Sequence, residues 1–122
     1  MAYTGIMASE VQIKEKAGTG ANATATGEIY LSNFAAQAES FINVATGFNW
    51  CDSFATINND FKRILIEATS NLAAVYVINW DMSGYTSRIE AEDMVNILLY
   101  RFNECIKVLK EVGTKRFMGV ED

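Results

Sequence analysis

The sequence predicts an all-α protein: a small bundle of three long helices plus one short N-terminal helix, followed by an extended C-terminal tail. Three observations carry that expectation. Apolar residues recur with the 3.6-residue helical period over three long stretches. The 122 residues contain no proline to break those stretches. A serine able to cap, or a glycine able to stop, stands at most of their ends. The length suits one domain, expected as three parts. Residues 1–27 form a short helix and a flexible Gly/Ala/Thr linker, residues 28–112 a helical domain, and residues 113–122 an extended tail.

The elements follow in order. Ser9 begins SEVQIKEKAG, with Gln12 three residues on and Gly18 as the stop, which predicts the short helix. GTGANATATG, residues 18–27, has no bulky side chain and is expected to be a linker, mobile or wrapped on a surface. From Glu28 the period is clear. Leu31, Phe34, Ala35, Ala38, Phe41, Ile42 and Ala45 form one face, with Ser32, Gln37, Glu39 and Asn43 on the other. Gly47 supplies the left-handed residue that ends this helix. Phe48 and Trp50 then stand in a corner, expected to fold back onto the core or, failing that, to meet a neighbouring subunit.

The second long helix is expected to start between Thr56 and Asn59 and to run to about Trp80, with Phe61, Ile64, Leu65, Ala68, Leu72, Val75 and Tyr76 as its stripe. Its last third, LAAVYVINW, is apolar nearly all round. Such a helix is covered on every side, in a bundle or at a subunit interface, which makes Val77 and Trp80 candidate interface residues. Ser87 opens SRIE, a capping box with Glu90, and the third long helix runs to about Val112, with Gly113 as its stop. The tail TKRFMGVED combines Lys115 and Arg116 with Phe117, Met118 and Val120. It is expected to order only on a partner.

Composition restricts the chemistry. The chain has no histidine, which removes Ser-His and Cys-His pairs and histidine metal ligands. The two cysteines, Cys51 and Cys105, are expected to be free thiols, because MAYTGIMASEVQIKEK does not read as a secretory signal. No apolar run reaches the length of a membrane span. A net charge of −5 argues against a protein that grips phosphates. The acidic cluster Glu90, Glu92 and Asp93 sits where carboxylates favourably face a helix N-terminus. The glycine-rich stretch lacks the strand and the Gly-Lys-Ser/Thr ending of a phosphate loop. No enzyme, cofactor or metal site is expected.

One resemblance gives these features a direction. A helix ending AESFINVATGFNW, a loop, the long helix ILIEATSNLAAVYVINWD and a capped third helix together resemble the head–tail connector (adaptor) proteins of tailed bacteriophages. The step Ile42, Thr46, Gly47, Trp50 and the helix from Leu65 to Trp80 carry the likeness, over roughly residues 28–112. The resemblance implies a virion structural protein made in the host cytoplasm and placed at the neck. It would form a homo-oligomeric ring of about a dozen subunits beneath the portal protein, and would also meet a downstream neck or tail protein. It further implies portal docking by the tail, Lys115, Arg116, Phe117, Met118 and Val120. Asp81, Glu90, Glu92 and Asp93 would face a channel through which DNA passes without specific binding. Two alternatives stay open: another phage neck or tail-completion protein, or a non-viral helical module that binds a partner helix.

Overall fold

The structure, a computed structural model, describes residues 2–118. Its first helix, α1 (Glu10–Ala17), is capped as the sequence predicts. Gln12 N donates to Ser9 Oγ at 3.2 Å, Ser9 N donates to Gln12 Oε1 at 2.8 Å, and Gly18 closes the far end. α2 (Glu28–Thr46) ends on Gly47 at φ +70°, a left-handed conformation that a Cβ would strain. A single turn, α3 (Trp50–Ser53), and a 3-10 turn, Phe54–Thr56, make the corner. α4 (Asn59–Trp80) and α5 (Arg88–Leu109) are the longest helices, and a short α6 (Val112–Phe117) follows. Among the described residues no strand occurs, and the chain is all-α.

α4 is the axis of the fold. Every residue from Ala68 to Val75 is buried, and so are Val77 and Ile78. Three helices cover it: α1, α2 and α5 each pack chiefly on α4, while α2 and α5 touch each other much less. Leu31, Ala35, Ala38 and Ile42 of α2 and Ala91, Leu98, Phe102 and Leu109 of α5 supply the facing rows. The apolar last third of α4 is therefore buried largely within its own subunit. Only Trp80, at 45 % exposed, keeps a large apolar surface there, and Tyr76 is partly exposed.

Asn43 builds the aromatic corner. Its Oδ1 accepts from Trp50 N at 2.9 Å, and its amide nitrogen reaches Asn49 Oδ1 at 3.3 Å. The Trp50 indole is wholly buried, donates to Thr46 Oγ1 at 3.0 Å and meets Phe48 edge-on at 4.9 Å. Trp50 thus folds onto its own core, as the first of the two readings expects.

Four local features depart from the sequence expectation. The stretch 18–27 is pinned rather than mobile. Asn22 Nδ2 donates to Asp81 Oδ2 at 2.9 Å, Tyr85 Oη donates to Ala17 O at 2.6 Å, and Ala25 is fully buried. The backbones of Gly20 and Gly84 approach so closely that a Cβ on Gly84 would strike the Gly20 carbonyl. Residues 3–8, which carry no periodic signal, form a strap across α2. Glu39 Oε2 accepts from Ile6 N at 2.7 Å and Met7 N at 2.8 Å, and Ser32 Oγ accepts from Thr4 N at 3.1 Å. Glu39 and Ser32 are consequently buried rather than solvated. α5 ends at Leu109 instead of Val112, because Glu111 turns extended, and Gly113 lies inside the next helix.

The fourth departure is the tail. Residues 112–117 are helical, not extended, and Met118 is buried. Lys115 is 7 % exposed. Its Nζ donates to Thr46 O at 3.1 Å and lies 5.8 Å from the Phe48 ring centroid. A cation on the last carbonyls of α2 meets the negative end of that helix dipole. The tail therefore docks, over these residues, on its own subunit.

Truncation should separate these contributions. Trp50→Ala is expected to cost about 3–5 kcal/mol, from lost burial and the cavity left behind. Denaturant unfolding that shifts by less than about 1 kcal/mol would mean the indole is not a core anchor. Lys115→Ala should cost about 1–3 kcal/mol, the range for a hydrogen bond from a charged donor. It should also speed amide exchange in α6. Wild-type stability and exchange in that variant would show that α6 is not held by this contact.

Candidate interaction surface

Among the described residues, the large apolar side chains that the core leaves outside are most numerous on two helices, α2 and α5. On α2 a second stripe runs beside the buried one, at positions 30, 34, 37, 41 and 44. Tyr30 is 38 % exposed, Phe41 53 % and Val44 80 %. Aromatic contacts tie this stripe to α4: Tyr30 meets Trp80 edge-on at 5.6 Å, and Phe34 lies 6.1 Å from Tyr76. Phe41 packs 5.7 Å from Phe102 of α5. Ala36, Gln37, Ser40, Phe41, Val44 and Tyr76 line an open groove along it. From Ile29 to Cys51 the only charged residue is Glu39, which is buried under the strap. The outer flank of α2 is thus uncharged in a protein of net charge −5.

The second surface is on α5, where Ile97 is 55 % exposed and Tyr100 67 %. Both stand on the side of the helix away from Phe102 and Leu109, by the 100° step between successive residues. Ion pairs along this helix match charge locally: Arg88 with Glu92 at 2.9 Å and Lys107 with Glu104 at 3.6 Å. These exposed pairs contribute little stability.

Of the interface residues read from sequence, Val77 and Trp50 are wholly buried in their own subunit, Phe48 is partly so, and Trp80 remains available. The surface on α2 had signals that pointed elsewhere: Phe41 falls in the row that reads as core, and Val44 lies outside that row. Of the docking-tail residues, Lys115 and Met118 are buried, Arg116 and Phe117 are exposed, and Val120 lies outside the described residues. Phe117 meets Phe61 at 4.8 Å between ring centroids, the rings tilted by 50°.

The acidic residues have local duties. Asp81 accepts from Ser83 N at 2.9 Å and from Asn22, and these hydrogen bonds hold its carboxyl below the usual range. Ser87 Oγ accepts from Glu90 N at 3.1 Å, but Glu90 Oε1 accepts from Thr86 N at 3.4 Å, one residue earlier than a capping box places it. Glu92 pairs with Arg88, and Asp93 is exposed.

A polar seam joins α1, α4 and α5. Lys16 pairs with Glu67, and that hydrogen bond holds the Glu67 carboxyl low. Thr69 and Asn71 are buried nearby on α4; among the described residues the Thr69 hydroxyl and the Asn71 side-chain amide have no hydrogen-bonding partner. Both cysteine thiols are pushed up by burial, which makes them poor nucleophiles at neutral pH. Among the described residues, no three His, Cys, Asp or Glu side chains could share a metal ion, and no helix is long and apolar enough to cross a membrane. No family model matches the chain, and no curated protein or solved structure matches it.

The Lys16–Glu67 pair makes acid stability testable. A carboxyl whose folded pKa lies below its unfolded value, about 4.3, stabilises the fold above that value. The stabilisation is lost as pH falls through the lower folded pKa. The wild-type melting temperature should fall on acidification below about pH 4–5, and Lys16→Met should flatten that part of the curve. Parallel curves for the two proteins would exclude a contribution from this pair.

Proposed function

We propose that the chain is a virion structural protein, a head–tail connector of tailed bacteriophages that forms a ring beneath the portal and lets DNA pass. The observation that carries the reading is the pair of exposed apolar surfaces, on α2 and on α5, left by a subunit whose own core is already closed around α4. Contiguous exposed apolar patches, unlike singly scattered residues, mark protein contacts. A ring needs two different contact faces on every subunit, and the two helices supply two. The likeness of residues 28–112 to connector proteins supplies the biological setting.

Further details accord with that role. Glu90, Glu92 and Asp93 are exposed around the start of α5. Facing a channel, they would repel the phosphate backbone and keep DNA sliding. Portal docking falls to the exposed part of the C-terminal segment, Arg116 and Phe117, since Lys115 and Met118 are committed to the subunit core. Docked α6 then presents an ordered surface, so attachment carries a smaller ordering cost than a disordered tail would.

Mass measurement by light scattering, alone and with purified portal protein, checks the proposal. The expected outcome is a multi-subunit species that co-elutes with portal, with the co-elution but not the self-assembly lost on Arg116→Glu/Phe117→Ala. A monomer that ignores portal at every concentration would count against a connector.

A further inference from the structure

We propose that protomers meet head to tail, with the uncharged outer flank of α2 in one copy packing on the outward face of α5 in the next. The inference rests on the self-assembly reading above and names its contact. Charge selects the partner. Each copy carries −5, so two copies repel unless the surfaces that meet lack net negative charge. The α2 flank meets that condition, because its outward side chains from Ile29 to Gly47 are apolar, Asn, Gln, Ser or Thr. Near Ile97 and Tyr100, α5 has Asp93, Arg101 and the Glu104–Lys107 pair, whose charges cancel and bring no negative excess. A basic partner drawn by the protein's overall charge would find no carboxylate on the α2 flank to pair with.

The arrangement of the faces selects the geometry. α2 and α5 flank α4, and their exposed residues belong to different helices with different sequences. An α2 flank paired with itself would leave Ile97 and Tyr100 of both copies in water. Pairing α2 with α5 covers both surfaces in every interior copy, and in a closed ring covers them all. Spacing agrees: positions 30, 34, 37, 41 and 44 step by four and three, the period with which one helix seats side chains between those of another.

Size sets the strength. The 19 residues of α2 make a strip about 28 Å long and about 10 Å wide. At roughly 300 Å², one such contact falls well short of the about 800 Å² per partner of a stable pair. Single contacts are therefore weak, and assembly rises with concentration until a ring gives each copy two.

Complementation tests this. Gln37→Glu/Val44→Glu puts charge on the α2 flank, and Ile97→Glu/Tyr100→Glu puts it on α5; all four positions are exposed, so melting temperatures should stay close to wild type. In sedimentation velocity over a concentration series, wild type should grow in mass while each variant alone stays monomeric. An equimolar mixture of the two should form dimers and nothing larger, since each dimer joins the one intact face of each variant. A mixture that stays monomeric overturns the head-to-tail contact. If either variant assembles like wild type, the faces are wrong and self-assembly survives. If wild type itself remains monomeric throughout, this contact and the ring reading fall together.

Discussion

The burial of α4 is the constraint on which the rest depends. A helix with LAAVYVINW in its last third exposes apolar surface in every direction and cannot be stable at the edge of a small domain. The chain meets this demand inside one subunit, with α1, α2 and α5 arranged around it. Because α4 takes the inner rows of α2 and α5, their outer rows are left to solvent. The exposed residues Phe41, Val44, Ile97 and Tyr100 follow from that arrangement. Exposed apolar surface is thus displaced from the most hydrophobic helix to the helices that cover it.

Helix ends and loops are fixed by small polar groups rather than by the core alone. Glu39 offers one carboxylate oxygen to two backbone amides and so holds a strap that has no secondary structure of its own. Lys115 meets the carbonyl end of α2, and Asn43 and Thr46 hold the Trp50 corner beside it. Each satisfies a backbone or ring group that burial would otherwise leave unpaired. The same end of α2 therefore joins the corner, α6 and the core.

Much of the fold was legible because period and caps agree. Ser9, Gly47 and Ser87 mark ends that the structure places within a residue or two, and long stretches average over local exceptions. Three of the four departures share a physical cause: each depends on contacts between residues far apart in sequence. Glu39 looks solvated until residues 3–8 cover it. Gly20 and Gly84 look flexible until they meet. Lys115 looks like a free charge until α6, too short to show a period, brings it 69 positions back to Thr46. The exposed apolar surface was hidden for the related reason that period identifies apolar faces but not which of two neighbouring faces the core takes. On α2, Leu31 and Ile42 won the core and Tyr30 and Phe41 were left at its edge.

The central claim is that α4 is covered by its own subunit and that α2 and α5 present the outward apolar surfaces. Native-state hydrogen exchange at several protein concentrations tests it most directly. The account predicts that amides of Leu72 to Ile78 are among the slowest to exchange in dilute protein and do not slow further as concentration rises. Protection that newly appears with concentration should fall instead on α2 and α5. Rapid exchange of Leu72 to Ile78 in dilute protein, slowing only as subunits associate, would contradict the account and return α4 to the subunit interface.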